Sequence, residues 1–139
     1  MDPIVKELTL RCPPDHAFDT WTRRIGDWWP VADYSLLGPE SRNVTIEPEV
    51  GGRVYEDDGA GATAVWGKVT VWEPKSRIAH TFTPWAGVET LVELTFTPTD
   101  EGCRVRLVHD GWTEASVEAR PGYDKGWGDV LDLFVTACG

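Results

Sequence analysis

The sequence has few of the residues on which metal, disulfide and nucleic-acid-binding sites depend. Its 139 residues include three cysteines, three histidines and 13 basic residues against 23 acidic ones. Cys12, Cys103 and Cys138 are odd in number, far apart and without a C-x-x-C pair, which predicts reduced, apolar side chains, not disulfides or a zinc site. The net charge of −10 disfavours binding to nucleic-acid phosphates and to anionic membrane surfaces.

Long apolar runs and catalytic signatures are also missing. No stretch approaches the roughly 20 apolar residues of a membrane span, and residues 1–7 lack the basic start of a signal peptide. We therefore expect a soluble cytoplasmic protein. G-x-S-x-G, P-loop and G-x-G-x-x-G motifs are absent, so no cofactor is expected. The histidines match no metal-ligand spacing, so we expect no metal either.

Tryptophan is the residue in excess, with eight copies in a chain that has the length of one domain, residues 1–139. Hydrophobic residues make up 41% and charged residues 26%, which is ordinary for a globular domain. So many large side chains either fill the core or line a partly open interior.

Short strands dominate the first two thirds of the chain. Apolar and polar residues alternate over 4–12, and Pro13 and Pro14 then begin a short helix with Ala17, Phe18, Trp21 and Ile25 on one side. Residues 31–42 have no period and predict a loop with at most a brief helical turn. Six more strands are predicted at 44–47, 53–56, 64–72, 77–83, 89–97 and 103–109. The connections are too short for crossover helices, which indicates an antiparallel sheet.

The end of the chain has helical periodicity. One apolar stripe is formed by Tyr123, Trp127, Val130, Leu131, Phe134, Val135 and Cys138. Gly126 and Gly128 each cost such a helix about 1 kcal/mol relative to Ala, which indicates a close approach to another segment or a frayed first turn. The predicted fold class is α+β: a curved seven-stranded antiparallel sheet around a long C-terminal helix, with one or two short helices after the first strand.

Six short motifs occur in order along the chain, after the proline-rich entry: Phe18-x-x-Trp21-Thr22, Trp28-Trp29-Pro30, Gly51-Gly52-Arg53-Val54-Tyr55-Glu56, Gly67-x-Val69-x-Val71-x-x-Pro74, Val108-His109-x-Gly111-Trp112 and Gly126-Trp127-x-x-Val130-Leu131. With these motifs the whole sequence resembles the START-like (SRPBCC) superfamily. Within that superfamily it is similar to the group named for the activator of the heat-shock protein 90 ATPase. The resemblance implies the helix-grip fold and a hydrophobic cavity between the sheet and the terminal helix.

Three functions follow from the resemblance. The first is a carrier or sensor that binds a small hydrophobic or amphipathic molecule, since relatives use the cavity for lipids, hormones and polyketides. The second is a protein-interaction module linked to a chaperone and to the stress response, although the named activators also need regions outside this domain. The third is a cavity enzyme of the cyclase, dehydratase or hydrolase type. We expect binding without a reaction and therefore assign no catalytic residue.

Alternation along the strands predicts which side chains face the cavity. The apolar inner set is Val54, Val69, Val71, Phe82, Leu94, Phe96 and Leu107, completed by Trp127 and Leu131 from the terminal helix. Glu56, His80 and His109 are the polar members. They are interpreted as general acid/base or ligand-anchoring groups. The alternative for Glu56 and His109 is that they bond the backbone or each other and fix the shape of the sheet.

Aromatic residues in the loops predict the mouth of the cavity near Trp28, Trp29, Tyr55 and Trp112, with Glu56 and His109 as polar anchors. The same alternation places Trp66 and Trp72 on the outer face unless a β-bulge shifts the register. An exposed pair of indoles on one strand would favour a homodimer.

Overall fold

The chain forms an antiparallel sheet wrapped around a long C-terminal helix, as predicted. The structure is a computed structural model that describes residues 2–84 and 88–139. Its strands are β1 (Ile4–Leu10), β2 (Asn43–Ile46), β3 (Arg53–Asp57), β4 (Thr63–Glu73), β5 (Arg77–Phe82), β6 (Thr90–Thr99) and β7 (Gly102–Asp110). Their order across the sheet is β1-β7-β6-β5-β4-β3-β2, and every neighbouring pair is antiparallel.

Each of the two α-helices has a proline in its first turn. Helix α1 spans Pro14–Trp21, and helix α2 spans Arg120–Cys138. Proline is tolerated in a first turn because the amide proton it lacks would have no helical partner there. Single 3₁₀ turns follow α1 at Ile25–Asp27, interrupt the loop at Gly38–Glu40 and precede α2 at Val117–Ala119.

Helix α2 packs on the concave face of the sheet through the predicted apolar stripe. Its buried residues are Tyr123, Gly126, Trp127, Val130, Leu131, Phe134 and Cys138. Val135 was wrongly included in this stripe, since its side chain is 42% exposed. At 100° per residue it lies at the edge of the stripe, next to Leu131 and Phe134 but turned towards solvent.

The predicted inner face of the sheet is the core. Val69, Phe82, Leu94, Phe96, Leu107 and Trp127 all belong to one buried cluster, as expected. Val71 was expected there as well but is only half-buried. Burying each large apolar side chain contributes about 1.5–3 kcal/mol, so this cluster is the main source of stability that holds α2 to the sheet.

Two irregularities in β4 overturn the predicted positions of Trp66 and Trp72. Opposite β3, Val65 and Gly67 pair with consecutive residues and Trp66 has no counterpart. Opposite β5, Thr70 is left over in the same way. Each extra residue reverses the alternation of side chains. Trp66 is therefore 2% exposed. Trp72 turns inward, opposite the buried Ile78 of β5, and packs against the core.

The inward Trp72 is half-buried, and its ring centroid lies 5.1 Å from that of Phe18 on α1. Gly67, which follows Trp66 in β4, is required by the neighbouring strand β5. A Cβ added at Gly67 would lie 1.8 Å from the carbonyl oxygen of Thr81, so only glycine allows the two strands to approach this closely. The outer-face indole pair on which a dimer contact was predicted does not exist.

The three cysteines, distant in sequence, come together at one end of the fold. Cys103 pairs with Leu10 in the sheet, and Cys12 follows β1 closely enough to contact both buried thiols, Cys103 and Cys138. All three are free thiols. Burial is the main reason that the pKa rises to about 11 for Cys103 and to about 12 for Cys138.

Candidate functional site

A cavity of about 520 Å³ lies where the first half of α2 meets the end of β5 and the loop before β2. A volume of this size fits a small organic molecule. Aromatic and small side chains form most of the wall, with a few polar groups among them. The lining residues are Trp29, Asp33, Tyr34, Ser35, Phe82, Glu118, Ala119, Gly122, Tyr123, Gly126, Trp127 and Val130.

The loop on one side of the cavity is fixed to α2 through Tyr34. The tyrosine hydroxyl donates a 2.6 Å hydrogen bond to Asp129, and Trp29 Nε1 donates to the carbonyl oxygen of Tyr34 over 2.8 Å. A Cβ added at Gly126 would lie 3.2 Å from the Tyr34 ring. Gly126 therefore marks the close approach that the helix sequence indicated, and the tyrosine ring rests against the helix at this position.

Glu56 fixes the same loop from the sheet side. Its carboxylate is fully buried and accepts hydrogen bonds from the backbone amides of Leu36 and Leu37, the latter at 3.1 Å. Trp66 Nε1 donates to the same carboxylate over 2.8 Å. A buried carboxylate requires such donors, because an unpaired one would carry a large desolvation cost. Glu56 is therefore a structural anchor of the cavity loop and does not line the cavity.

His109 belongs to a chain of hydrogen bonds behind the cavity wall. Trp127 Nε1 donates to Nδ1 of His109 over 2.9 Å, which leaves the imidazole proton on Nε2. Nε2 then donates to Oγ1 of Thr90 at 2.7 Å, and that hydroxyl donates to the carbonyl oxygen of Phe82 at 2.5 Å. Burial lowers the pKa of His109 to about 3, and nearby His80 and Arg120 add to the shift, so the imidazole is neutral.

His80 lies in the same row across the sheet, separated from His109 by Val92 on β6. Its Nδ1–H donates to the carbonyl oxygen of Thr81 over 2.8 Å. Burial lowers the pKa of His80 to about 4 despite this bond, so it too is neutral at pH 7. Neither histidine lines the cavity. The arrangement therefore favours a structural role for both over acid/base chemistry on a bound molecule.

The predicted site residues fall into three groups. Trp29, Phe82 and Trp127 line the cavity. Buried residues that do not line it are Val54, Glu56, Val69, His80, Leu94, Phe96, Leu107, His109, Trp112 and Leu131. Half-buried residues outside the lining are Trp28, Tyr55 and Val71. Val69 also borders a separate groove along β4 on the sheet.

Of the aromatic residues expected at the mouth, only Trp29 lines this cavity. Trp28 packs 5.5 Å from the ring of Phe134 and donates to a backbone carbonyl of α1. The ring centroid of Trp112 lies 4.5 Å from that of His109, with the two rings tilted by 44°. Tyr55 lies on the opposite face of β3 from Glu56, beneath the guanidinium group of Arg53. Aromatic content alone did not distinguish residues that pack into the core from residues that line an opening.

Sequence reasoning missed the loop side of the cavity. Asp33, Tyr34 and Ser35 come from the loop without periodicity, and Glu118 comes from the 3₁₀ turn before α2. Gly126 carried the one usable signal, since a glycine within a helical stripe indicates contact with another segment. The sequence did not indicate which segment Gly126 contacts, because Tyr34 lies far from it along the chain.

Further classes of site find no support in the described part of the chain. Residues 2–84 and 88–139 contain no group of histidine, cysteine and acidic side chains placed to hold a metal ion. In the same residues, no helix has the length and hydropathy that a bilayer span requires.

Comparison with known proteins supports the fold. The model of the family described as "Activator of Hsp90 ATPase homolog 1-like protein" matches residues 11–139. The crystal structure of MLL2253 from Mesorhizobium loti is similar over 97% of this chain and 95% of that one, at 20% identity and a TM-score of 0.75. No curated protein matches the sequence.

Two further solved structures have the same fold. The Aha1 dimer from Colwellia psychrerythraea is similar over 94% of this chain and 91% of that one, at 16% identity and a TM-score of 0.70. DynU16, from the dynemicin biosynthetic locus, is similar over 98% of this chain and 46% of that one, at 18% identity and a TM-score of 0.72. At these identities the likeness establishes the fold alone.

Proposed function

Because the chain belongs to the Activator of Hsp90 ATPase homolog 1-like family, with its START-like fold, we propose that it binds a small hydrophobic or amphipathic molecule between the sheet and α2. The observation that carries the proposal is the aromatic-lined cavity of about 520 Å³. Ligand sites are concave, mainly apolar and equipped with a few polar groups that orient the guest. This cavity has each of those properties.

The proposal is for binding, as in a carrier or sensor, and includes no reaction. Glu56, His80 and His109 were the candidates for acid/base catalysis, but their hydrogen bonds are made within the protein. A catalytic acid or base must reach the reacting group. None of the three lines the cavity, so the cyclase, dehydratase or hydrolase alternative has less support than binding.

A titration with a neutral apolar fluorophore, N-phenyl-1-naphthylamine, tests the proposal. Trp29 and Trp127 line the cavity, so occupancy should quench tryptophan fluorescence saturably. Gly122 also lines it, and a Cβ added there would have no atom within 4 Å, so Gly122→Phe should project into the cavity and weaken binding about tenfold or more. Gly128→Phe is the matched control, because Gly128 has equal space and does not line the cavity.

Loss of binding in Gly122→Phe with retention in Gly128→Phe would support the cavity as the site. Equal binding by both variants, or no saturable quenching with the unaltered protein, would contradict the proposal. Such a result would favour the alternative function, a protein-interaction module with a chaperone among its candidate partners.

A homodimer is a second proposal, and the observation that favours it is the dimer described for Aha1 from Colwellia psychrerythraea. The Trp66–Trp72 contact is excluded as its basis, since Trp66 is buried. Sedimentation velocity from low to high micromolar concentration tests the assembly. A monomer over the whole range would contradict it.

A further inference from the structure

The charged groups on the cavity wall are acidic. Asp33 and Glu118 line the cavity from opposite segments, and both side chains are exposed to solvent at its rim. Among the lining residues that the structure describes there is no lysine or arginine. A guest that enters from solvent therefore meets carboxylates first, on a protein whose net charge is already −10.

The cations nearest in sequence to this rim are engaged elsewhere. Lys125 forms an ion pair with Asp129 at 2.8 Å. Arg120 donates to the carbonyl oxygens of Asp2 and Pro3 at 3.0 and 3.1 Å. Behind the wall, His109 is neutral and both its ring nitrogens are hydrogen-bonded. A carboxylate or phosphate head group at this rim would consequently face two like charges without a counter-ion among the described lining residues.

The aromatic rings of the cavity wall also attract cations. Trp29, Tyr34, Phe82, Tyr123 and Trp127 line the cavity together. The faces of aromatic rings carry negative potential and attract ammonium groups, and such aromatic cages recognise quaternary ammonium ligands in other proteins. Burial raises the pKa of Tyr123, so this phenol stays neutral and contributes its ring without a competing charge.

We infer that the ligand is an organic cation: an amphiphile whose protonated amine or quaternary ammonium group lies at Asp33 and Glu118 and whose apolar part lies among the aromatic rings. The inference rests on the proposed binding function and adds the charge class of the ligand. The carboxylates select against anions by repulsion, and the rings and carboxylates together favour cations.

Three probes with the same ten-carbon tail separate the two proposals: decyltrimethylammonium, 1-decanol and decanoate, each used below its aggregation concentration to displace N-phenyl-1-naphthylamine. We expect decyltrimethylammonium to bind about tenfold or more tightly than decanoate at low salt, with decanol between them. The ratio should shrink in roughly 0.5 M NaCl, because the carboxylates are exposed and therefore screened.

If decanol binds and decanoate equals or exceeds decyltrimethylammonium, the charge inference is overturned while the binding function stands. If none of the three displaces the fluorophore and the fluorophore itself does not bind, the binding function is overturned as well.

A double variant locates the selectivity. Asp33→Asn with Glu118→Gln should reduce the preference for decyltrimethylammonium over decanoate severalfold, a larger change than in the affinity for decanol. The matched control, Glu101→Gln with Asp132→Asn, removes the same net charge at exposed positions that do not line the cavity. An equal loss of preference in the control would show that overall charge is responsible, and would overturn the assignment to the cavity rim.

Discussion

The indole N–H of Trp127 on α2 donates a 2.9 Å hydrogen bond to Nδ1 of His109 on β7. The bond connects the terminal helix to the sheet directly behind the cavity, and it fixes the tautomer of a histidine that is fully buried. Trp127, which lines the cavity, is thereby hydrogen-bonded to the buried core of the protein.

Replacing Trp127 by Phe should lower the stability of the fold, in part through the loss of this bond. The variant keeps an aromatic ring but removes the N–H that donates to Nδ1, and an unpaired buried acceptor costs about 1–3 kcal/mol. Trp127→Ala should cost about 3–5 kcal/mol, because it also deletes the buried ring. Urea denaturation at constant slope measures both. An unchanged midpoint for Trp127→Phe would contradict a stabilising role for the bond.

Stability should decrease as the pH falls below about 6.5. His80 and His109 have their pKa lowered to about 4 and about 3 in the folded protein, whereas histidines in the unfolded chain titrate near 6.5. The unfolded state therefore takes up protons that the folded state excludes, and each histidine contributes a slope of up to about 1.4 kcal/mol per pH unit. Denaturation between about pH 7.5 and 5 tests the trend.

The variant His109→Gln isolates one of the two contributions. Glutamine has no titrating group, so the dependence of stability on pH should become about half as steep even though the variant is less stable near neutral pH. A slope equal to that of the unaltered protein would assign the effect to other groups.

Two glycines of α2 should respond differently to alanine. Gly128→Ala should raise stability by up to about 1 kcal/mol, because alanine favours the helix and nothing lies within 4 Å of the new Cβ. Gly126→Ala should gain less or lose stability, since its Cβ would press on the Tyr34 ring at 3.2 Å. Thermal unfolding of both variants compares them. A larger gain for Gly126→Ala would contradict the described packing of the loop.

The clustered cysteines should differ in reactivity. Cys12 is half-buried, whereas Cys103 and Cys138 are buried and have their pKa raised to about 11 and about 12, so they form little of the reactive thiolate. Native protein treated with N-ethylmaleimide near neutral pH should carry one adduct, at Cys12, by peptide mass spectrometry. Protein in urea should carry three. Comparable native labelling at Cys103 or Cys138 would count against the structure at this end.

The sequence by itself determined the helices and strands and, for most of them, which face is buried. Period-two alternation in β6 and β7 assigned Leu94, Phe96 and Leu107 to the core, because one face of the sheet must be covered by the helix. Helical spacing found Trp127 and its stripe for the same reason. Both patterns are local in sequence, and each indicates which face of a helix or strand is buried.

Only the tertiary structure decided the details that form the cavity. The bulges in β4 turned Trp66 inward onto Glu56, since an extra residue changes the register only against a partner strand. The contact between Tyr34 and Gly126 joins segments that are separated by most of the chain. No local sequence pattern predicts that contact. The three cysteines likewise meet only in the folded chain. Long-range contacts depend on how the elements pack, whereas local periodicity specifies only the faces that they bury.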